Sequence, residues 1–199
     1  ISTEALMFQS GYLTIAEEKK RGENISFALT YPNHEVRSAL TGNVMGRWVD
    51  NPRKAEESRF ALYDALEIND FERIREIFFS LYASIPYNWY VNNNIDTFEG
   101  YYASVFYATF AALGLEIVLE DVSNHGRLDM AVKFNGQIYL FEFKVVEDEA
   151  EGKALAQIKA KKYADKYDPH QQPIYLIGVE FSKKTRNVVG FEVQSAEDR

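Results

Sequence analysis

The sequence predicts an α/β fold, a mixed central β-sheet flanked by helices, with a small N-terminal helix–hairpin–helix segment. Three observations carry that expectation. Residues 126–145 set two apolar, β-rich runs on either side of Asn135-Gly136, a strong signal for a two-residue hairpin turn. The run Ile138 to Val146 is apolar almost throughout, as in a strand buried on both faces. Segments of helical period lie before and after these strands, giving the order helix, three strands, helix, strand and a possible edge strand.

From the start, residues 2–10 read as the end of a helix. Residues 11–16 and 25–31 read as two strands joined by the charged loop Glu17–Asn24. A helix over 34–48 follows, with Asn33 as its N-cap. This unit reads either as a winged-helix-like module or as the tail of a region that precedes it. Residues 52–84 are helical, with Pro52 in the first turn. Their apolar stripe is Phe60, Tyr63, Leu66, Phe71, Ile74, Ile77, Phe78 and Leu81, split at Asn69-Asp70. Pro86 and Asn92-Asn93-Asn94 form a loop. A helix over 97–113 starts from Asp96 or Thr97 as cap and stops at Gly114, with Phe98, Tyr102, Val105, Phe106 and Leu113 buried. Strands are expected at 115–121, 127–134 and 137–146. A helix over 150–167 carries Leu155, Ile158, the Lys162 stem and Tyr163 inward until Pro169 breaks it. A strand from Pro173 to Phe181, a turn over 182–187 and a short strand over 188–193 close the chain. The expected division is 1–50, an N-terminal subdomain; 51–94, a helical connector; and 95–199, the main α/β domain.

The totals limit the function. The chain has 199 residues, of which 46% are hydrophobic and 15% aromatic, enough for a true core. It has no cysteine, which removes disulfides, thiolate nucleophiles and cysteine metal sites and fits a reducing, cytoplasmic compartment. No apolar run approaches the roughly 18–20 residues that span a bilayer. The first residues are neither a signal peptide nor an initiator Met, so the expectation is a piece of a longer chain. The net charge of −8 argues mildly against broad nucleic-acid affinity, but net charge is not local charge. Lys153, Lys159, Lys161, Lys162 and Lys166 cluster in one segment, and Lys183, Lys184 and Arg186 in another. They form either a basic rim around an acidic site or an ordinary solvated face.

Chemistry concentrates in the hairpin. With a two-residue turn, Phe134 faces Gln137 and, counting outward, Asp129 faces Glu142. Opposed residues have Cβ atoms roughly 4.5–5.5 Å apart, so these carboxylates repel unless a cation or proton lies between them. Lys144, two residues beyond Glu142, projects from the same face, while Phe141, Phe143 and Val145 take the other. Charged residues on a strand are usually its wet face. Glu142 and Lys144 instead interrupt a run expected to be buried, where charge needs a partner or a task. Glu99 sits in the first turn of its helix, either favoured there by the helix dipole or joining the site from the side. The histidines His34, His125 and His170 show no ligand spacing, and no G-x-x-x-x-G-K-[ST] pattern occurs.

The arrangement resembles the PD-(D/E)XK nuclease superfamily, with Asp129, twelve intervening residues, and then Glu142-Phe143-Lys144. The surrounding text is similar to one branch: Phe98-Glu99-Gly100-Tyr101-Tyr102, Gly126-Arg127-Leu128-Asp129, Tyr139-Leu140-Phe141-Glu142-Phe143-Lys144, Ala154-Leu155-Ala156-Gln157-Ile158 and Pro173-Ile174-Tyr175-Leu176-Ile177-Gly178. That branch is the C-terminal nuclease-like domain found after AAA-ATPase-like domains in bacterial proteins. Leu128 replaces the proline of the superfamily's name. Phe8-Gln9-Ser10-Gly11-Tyr12-Leu13-Thr14-Ile15 looks like the place where the ATPase-like part ends. The resemblance implies a restriction-endonuclease-like fold over about 95–195. It makes Asp129 and Glu142 the metal-binding acids, Lys144 the catalytic lysine, Glu99 the helix acid and a further metal-site acid, and Gln157 the auxiliary polar residue. It implies Mg²⁺ or Mn²⁺ as cofactor and hydrolysis of nucleic acid, DNA favoured over RNA, with Lys159, Lys161 and Lys162 as nucleic-acid contacts. The alternative is a catalytically inactive module that binds nucleic acid or regulates an attached ATPase-like region.

Overall fold

A computed structural model describes residues 2–48, 52–86, 99–167 and 172–197, without the side chains of residues 41, 43–48 and 52–55. The elements are α1 (Thr3–Gln9), β1 (Thr14–Arg21), β2 (Asn24–Thr30), α2 (His34–Trp48), α3 (Pro52–Glu67), α4 (Phe71–Ala83), α5 (Glu99–Ala112), β3 (Glu116–Ser123), β4 (Gly126–Phe134), β5 (Gln137–Val146), α6 (Lys153–Lys161), a 3₁₀ turn (Tyr163–Lys166), β6 (Ile174–Ser182) and β7 (Val188–Ser195). Five strands form one sheet in the order β3-β4-β5-β6-β7. The β5–β6 pair is parallel and the other pairs antiparallel, so the sheet is mixed, as expected. Its flanking helices make the architecture consistent with a restriction-endonuclease-like fold.

Each face of the sheet has its own apolar layer. On one, Tyr139, Phe141, Phe143, Ile177, Val179 and Phe181 meet side chains of α3, α4 and α5. Phe78 of α4 stacks on Phe106 of α5 with ring centroids 3.6 Å apart, and Tyr102 stacks on Phe181 at 4.3 Å. Each such ring contributes about 1.5–3 kcal/mol by leaving water. Tyr82 Oη donates to the Tyr102 carbonyl at 2.6 Å, satisfying a polar atom that burial would otherwise strand. On the other face, Leu128, Ala131, Ile138, Leu140, Ile174 and Leu176 meet Ile158 of α6 and Tyr163 and Ala164 of the 3₁₀ turn. Strand β5 is therefore covered on both sides, which accounts for its unbroken apolar run.

Several expectations need correction. The segment Glu17–Asn24 is mostly strand: β1 runs to Arg21, and Gly22, with φ of 63°, helps to form a tight turn. Almost every side chain of that hairpin is exposed, so alternating charge costs nothing on either face. Phe60 and Tyr63 are 59% and 37% exposed, outside the buried stripe that Leu62, Ala65 and Leu66 form instead. Helix α5 is buried nearly all round, including Ala108, Thr109, Phe110 and Ala111, rather than along one stripe. The helix expected over 150–167 is α6 plus the 3₁₀ turn. A continuous helix would carry the stripe from Ile158 to Lys162 and Asp165. The left-handed Lys162, with φ of 49°, shifts it to Tyr163 and Ala164, so Lys162 ends as an exposed cap. The breaks at Asn69-Asp70 and Gly114 fall as expected, with φ of 55° at Asn69 and 77° at Gly114. Asn33 Oδ1 accepts from Val36 N at 2.9 Å. Phe98, the caps Asp96 and Thr97, the loop Asn92-Asn93-Asn94, Pro169 and His170 lie outside the described residues.

Gly178 sets how closely α6 lies on the sheet. It pairs in register with Glu142, and a Cβ there would stand 2.3 Å from the Leu155 backbone nitrogen. Glu180, two residues on and 2% exposed, accepts backbone N–H groups from Glu151, Gly152 (3.0 Å) and Ala154 (3.1 Å), capping the start of α6 from the sheet below. These donors hold the Glu180 carboxyl below the usual range despite its burial. Gly178→Ala is expected to lift α6 and destabilise the fold by roughly 1–3 kcal/mol. Chemical denaturation measures this, and an unchanged midpoint would show that α6 does not rest on that backbone.

Candidate functional site

The β4–β5 hairpin has the expected register: Phe134 pairs with Gln137, and each step outward holds as far as Met130–Phe141. There the ladder stops, one pair before Asp129 and Glu142. The expectation of a continuous ladder through the two acids is thus corrected: they stand just past a fork. Beyond it, β5 continues on β6 to Val146–Ser182, and β4 continues on β3 to Gly126–Ser123. At the fork, Phe143 N–H donates to Asp129 Oδ2 at 2.8 Å in place of a further strand partner.

Asp129 also marks a roll in its strand. Leu128 and Met130, two apart, would share a face in a regular strand, yet they belong to opposite apolar layers. The β3–β4 ladder passes from Leu119–Met130 to Asp121–Leu128 without the pair between, and Glu120 there has φ of 49°. A break of this kind re-aims a side chain, and such breaks are frequent beside functional sites. Here Asp129 comes to line a cleft of about 390 Å³ with Glu99, Gly100, Ala103, Tyr107 and Glu120.

Glu142 is 1% exposed. Its Oε1 accepts from Lys144 Nζ at 3.3 Å and from Gln157 Nε2 of α6. Its Oε2 is buried without a hydrogen-bond partner. Lys144 Nζ also reaches the Phe143 carbonyl at 3.0 Å and Glu99 Oε2 at 3.5 Å. The structure therefore brings Asp129, Glu142, Lys144, Glu99 and Gln157 into one neighbourhood, with α5 supplying Glu99 and α6 supplying Gln157. Lys159 and Lys161 lie exposed at the end of α6, with Lys162 as its cap. Of their neighbours, Lys153 pairs with Glu151 and Lys166 with Asp121.

Burial pushes the Glu142 carboxyl up, the nearby Asp129 charge adds to it, and Lys144 only partly offsets them, leaving it at about 7. Burial likewise raises Asp129, against the Phe143 N–H and Lys144. Burial works to lower Lys144, but Glu142, Glu99 and Asp129 outweigh it and hold the ammonium above its ordinary range. The donors are hard oxygens, the kind that divalent Mg²⁺ takes, usually one or two carboxylates with waters completing the shell. The orphaned Oε2 of Glu142 fits that chemistry. Among the described residues, no three His, Cys, Asp or Glu side chains converge as a ready-made metal cage, so the protein would offer Asp129 and Glu142, not a closed site.

Sequence reasoning missed three participants. Glu180 carried the same signal as Glu142, a lone charge inside a buried strand run. Glu120 carried none, because a strand break leaves no mark in apolar periodicity; Tyr163 was placed inward by its spacing, but nothing in the sequence marked the bond of its hydroxyl to the Arg127 carbonyl.

Residues 97–191 match a family model described as PD-(D/E)XK nuclease superfamily, so this stretch is nuclease-like in sequence as well as architecture. Over 195 residues, 98% of this chain, the sequence is 53% identical to an Azotobacter chroococcum mcd 1 protein described as an uncharacterized protein in vnfD 5'region. The match spans 38% of that relative's length. Among the described residues no helix is long and apolar enough to cross a membrane.

The raised Glu142 carboxyl fixes the direction of a pH effect. Between about 4.5 and about 7 the folded protein holds a proton that the unfolded chain has released, so stability falls as pH rises through that window. The Glu142 contribution is on the order of 2–3 kcal/mol. Denaturant melts without divalent cation should show lower stability at pH 8 than at pH 5.5, and Glu142→Gln should flatten most of that difference. An equally steep pH dependence in the variant would mean that another group is responsible.

Proposed function

We propose that the chain carries a divalent-metal-dependent phosphodiesterase site acting on nucleic acid, DNA rather than RNA. One observation supports this above the others: a fully buried carboxylate with an unpartnered oxygen stands beside a second carboxylate and an ammonium at a fork in the sheet. In this reading Asp129 and Glu142 hold Mg²⁺ or Mn²⁺. A divalent ion supplies Lewis acidity toward water and a phosphate oxygen. Lys144, whose ammonium the surrounding carboxylates favour, neutralises charge that develops on the phosphate. Glu99 holds the Lys144 ammonium from the α5 side, and Gln157 fixes the orientation of Glu142. Lys159, Lys161 and Lys162 offer phosphate contacts along the end of α6.

Residues 95–199 are then the hydrolytic unit, 51–94 a helical connector, and 1–50 an N-terminal subdomain whose helix α2 bonds the Ala112 and Leu115 carbonyls through Ser38 and Arg37. A cytoplasmic location belongs to the same reading. A second reading is favoured by the N-terminal unit, where Leu6, Phe8, Tyr12, Ile15, Ile25 and Phe27 are all more than 40% exposed. Exposed apolar side chains concentrated in one small unit suit contact with another polypeptide region. The ATPase-like part that the resemblance implies is the candidate, and the hydrolytic fold would then serve its regulation.

The test is cleavage of single- and double-stranded DNA and RNA, linear and circular, with Mg²⁺ or Mn²⁺. Wild-type protein is expected to cut DNA. Asp129→Asn and Glu142→Ala are expected to lose cutting altogether, and Lys144→Ala to lower kcat by roughly 10²–10³-fold. Retained folding is checked by circular dichroism. Failure of the wild type on every substrate would remove the hydrolytic reading and leave the binding or regulatory one.

A further inference from the structure

The hairpin of β1 and β2 forms a sheet of its own, two strands wide. A lone hairpin is marginal in water; a third strand or a packed helix is needed for stability. Among the described residues no other element runs along β2, and its outer edge makes no backbone hydrogen bond.

The two edges of this hairpin differ. Strand β1 carries Glu17, Glu18, Lys19, Lys20 and Arg21 in succession, and its register slips between Ile15 and Glu17. Charge and a bulge are the devices that keep an edge from pairing. Strand β2, Asn-Ile-Ser-Phe-Ala-Leu-Thr, has neither: no charge, no proline, and consecutive pairing from Asn24 to Thr30. Ile25 and Phe27 are each 52% exposed and share one face. An uncharged, regular edge of this kind is a template for another strand.

The order of residues in β2 selects the strand it fits. Two copies of one strand that pair antiparallel are related by a two-fold axis. Side chains alternate between faces, so faces match only when the axis passes beside one residue, which then meets itself. On β1 every such residue from Glu17 to Arg21 would set like charges together, which is destabilising. On β2 the central residue is Phe27. About it Phe27 meets Phe27, Ile25 meets Leu29, Ser26 meets Ala28 and Asn24 meets Thr30. Aromatic meets aromatic, aliphatic meets aliphatic, small meets small and polar meets polar. The hairpin's charges also balance, with Glu17, Glu18 and Glu23 against Lys19, Lys20 and Arg21. The chain's net charge of −8 therefore resides elsewhere and does not set these hairpins against each other.

We propose that the outer edge of β2 is an interface between two copies of this chain, joined antiparallel about Phe27 into one continuous sheet, β1-β2-β2-β1. The inference does not depend on the hydrolytic reading.

The experiment reads mass against concentration by sedimentation equilibrium for the 199-residue chain. One strand pair is at the small end of interfaces, so wild type should pass from 22.9 kDa to twice that between roughly 1 µM and 1 mM. Within the hairpin, Phe27 stands opposite Glu18. Phe27→Lys therefore suits the hairpin itself but sets two ammonium groups at the axis, and it should stay a monomer throughout. Phe27→Glu should stay a monomer as well. An equimolar mixture of the two should regain the dimer, because the axis then joins opposite charges. Lys19→Thr, on the guarded edge, should dimerise as wild type does, and circular dichroism checks that each variant is folded. A wild type that stays at 22.9 kDa over that range overturns the proposal and leaves the β2 edge to a different polypeptide. A dimer that survives Phe27→Lys puts the contact elsewhere and overturns it too, as does a mixture of folded variants that stays monomeric. Where Phe27→Glu fails to fold, Phe27→Lys and Lys19→Thr decide.

Discussion

The parting of β4 from β5 after Met130–Phe141 is the constraint on which the rest of the site depends. A continuous ladder would pair Asp129 and Glu142 across a regular sheet, with each strand's side chains confined to alternating faces. The fork releases that confinement. Asp129 rolls toward the α5 cleft, Glu142 stays under α6, and Lys144 reaches Glu99 as well as Glu142. A sheet that separated the two faces throughout would keep α5 and α6 from contributing to one cluster. The Asp129 carboxylate limits what the opening costs, because it satisfies the Phe143 N–H.

Helix α6 has to be set in height and in rotation for Gln157 to reach Glu142. Gly178 lets the backbone of α6 come down beside Glu142, and Glu180 gathers the N–H groups that begin the helix. Both lie on β6, two residues apart, so one strand fixes where the helix starts and how deep it lies. The left-handed Lys162 then ends it and turns Tyr163 under. Placement of α6 is thus a property of β6 and the 3₁₀ turn more than of the helix's own short apolar stripe, Ala154 and Ile158.

Much of this architecture was legible in the chain. The hairpin register followed from Asn135-Gly136, because a two-residue turn leaves no freedom in pairing. Burial of β5 followed from its unbroken apolar run, and Asn69-Asp70 and Gly114 ended helices because the backbone there adopts positive φ or caps. What escaped had local geometry or tertiary context as its cause. Nothing in Gly-Arg-Leu-Asp-Met says that the strand rolls at Asp129, since alternation looks intact until the layers are known. Phe60 and Tyr63 sit at helical spacing with Leu66, yet the buried stripe reaches Leu66 through Leu62 and Ala65 instead, and periodicity alone does not separate adjacent faces on an aromatic-rich helix. The end of α6 turned on Lys162, for which left-handed backbone is uncommon and unmarked in sequence.

Energetics separate Glu142 from an ordinary structural carboxylate. Buried ion groups seldom stabilise a fold, and well-packed apolar replacements are often neutral or better. Glu142 illustrates the cost: its carboxyl is driven up to about 7, one of its oxygens has no partner, and a second acid stands close enough to raise it further. A fold that needed only rigidity at this position could carry an apolar side chain, as Leu140 does two residues earlier on the same face. Glu180, equally buried, shows what a structural carboxylate looks like in the same sheet: it is fully engaged by backbone donors, and its carboxyl is held low. The two acids differ in satisfaction, not in burial. An unsatisfied acid held beside a second acid is stable only in company with a proton or a cation, so Glu142 is held at a cost that Glu180 does not bear.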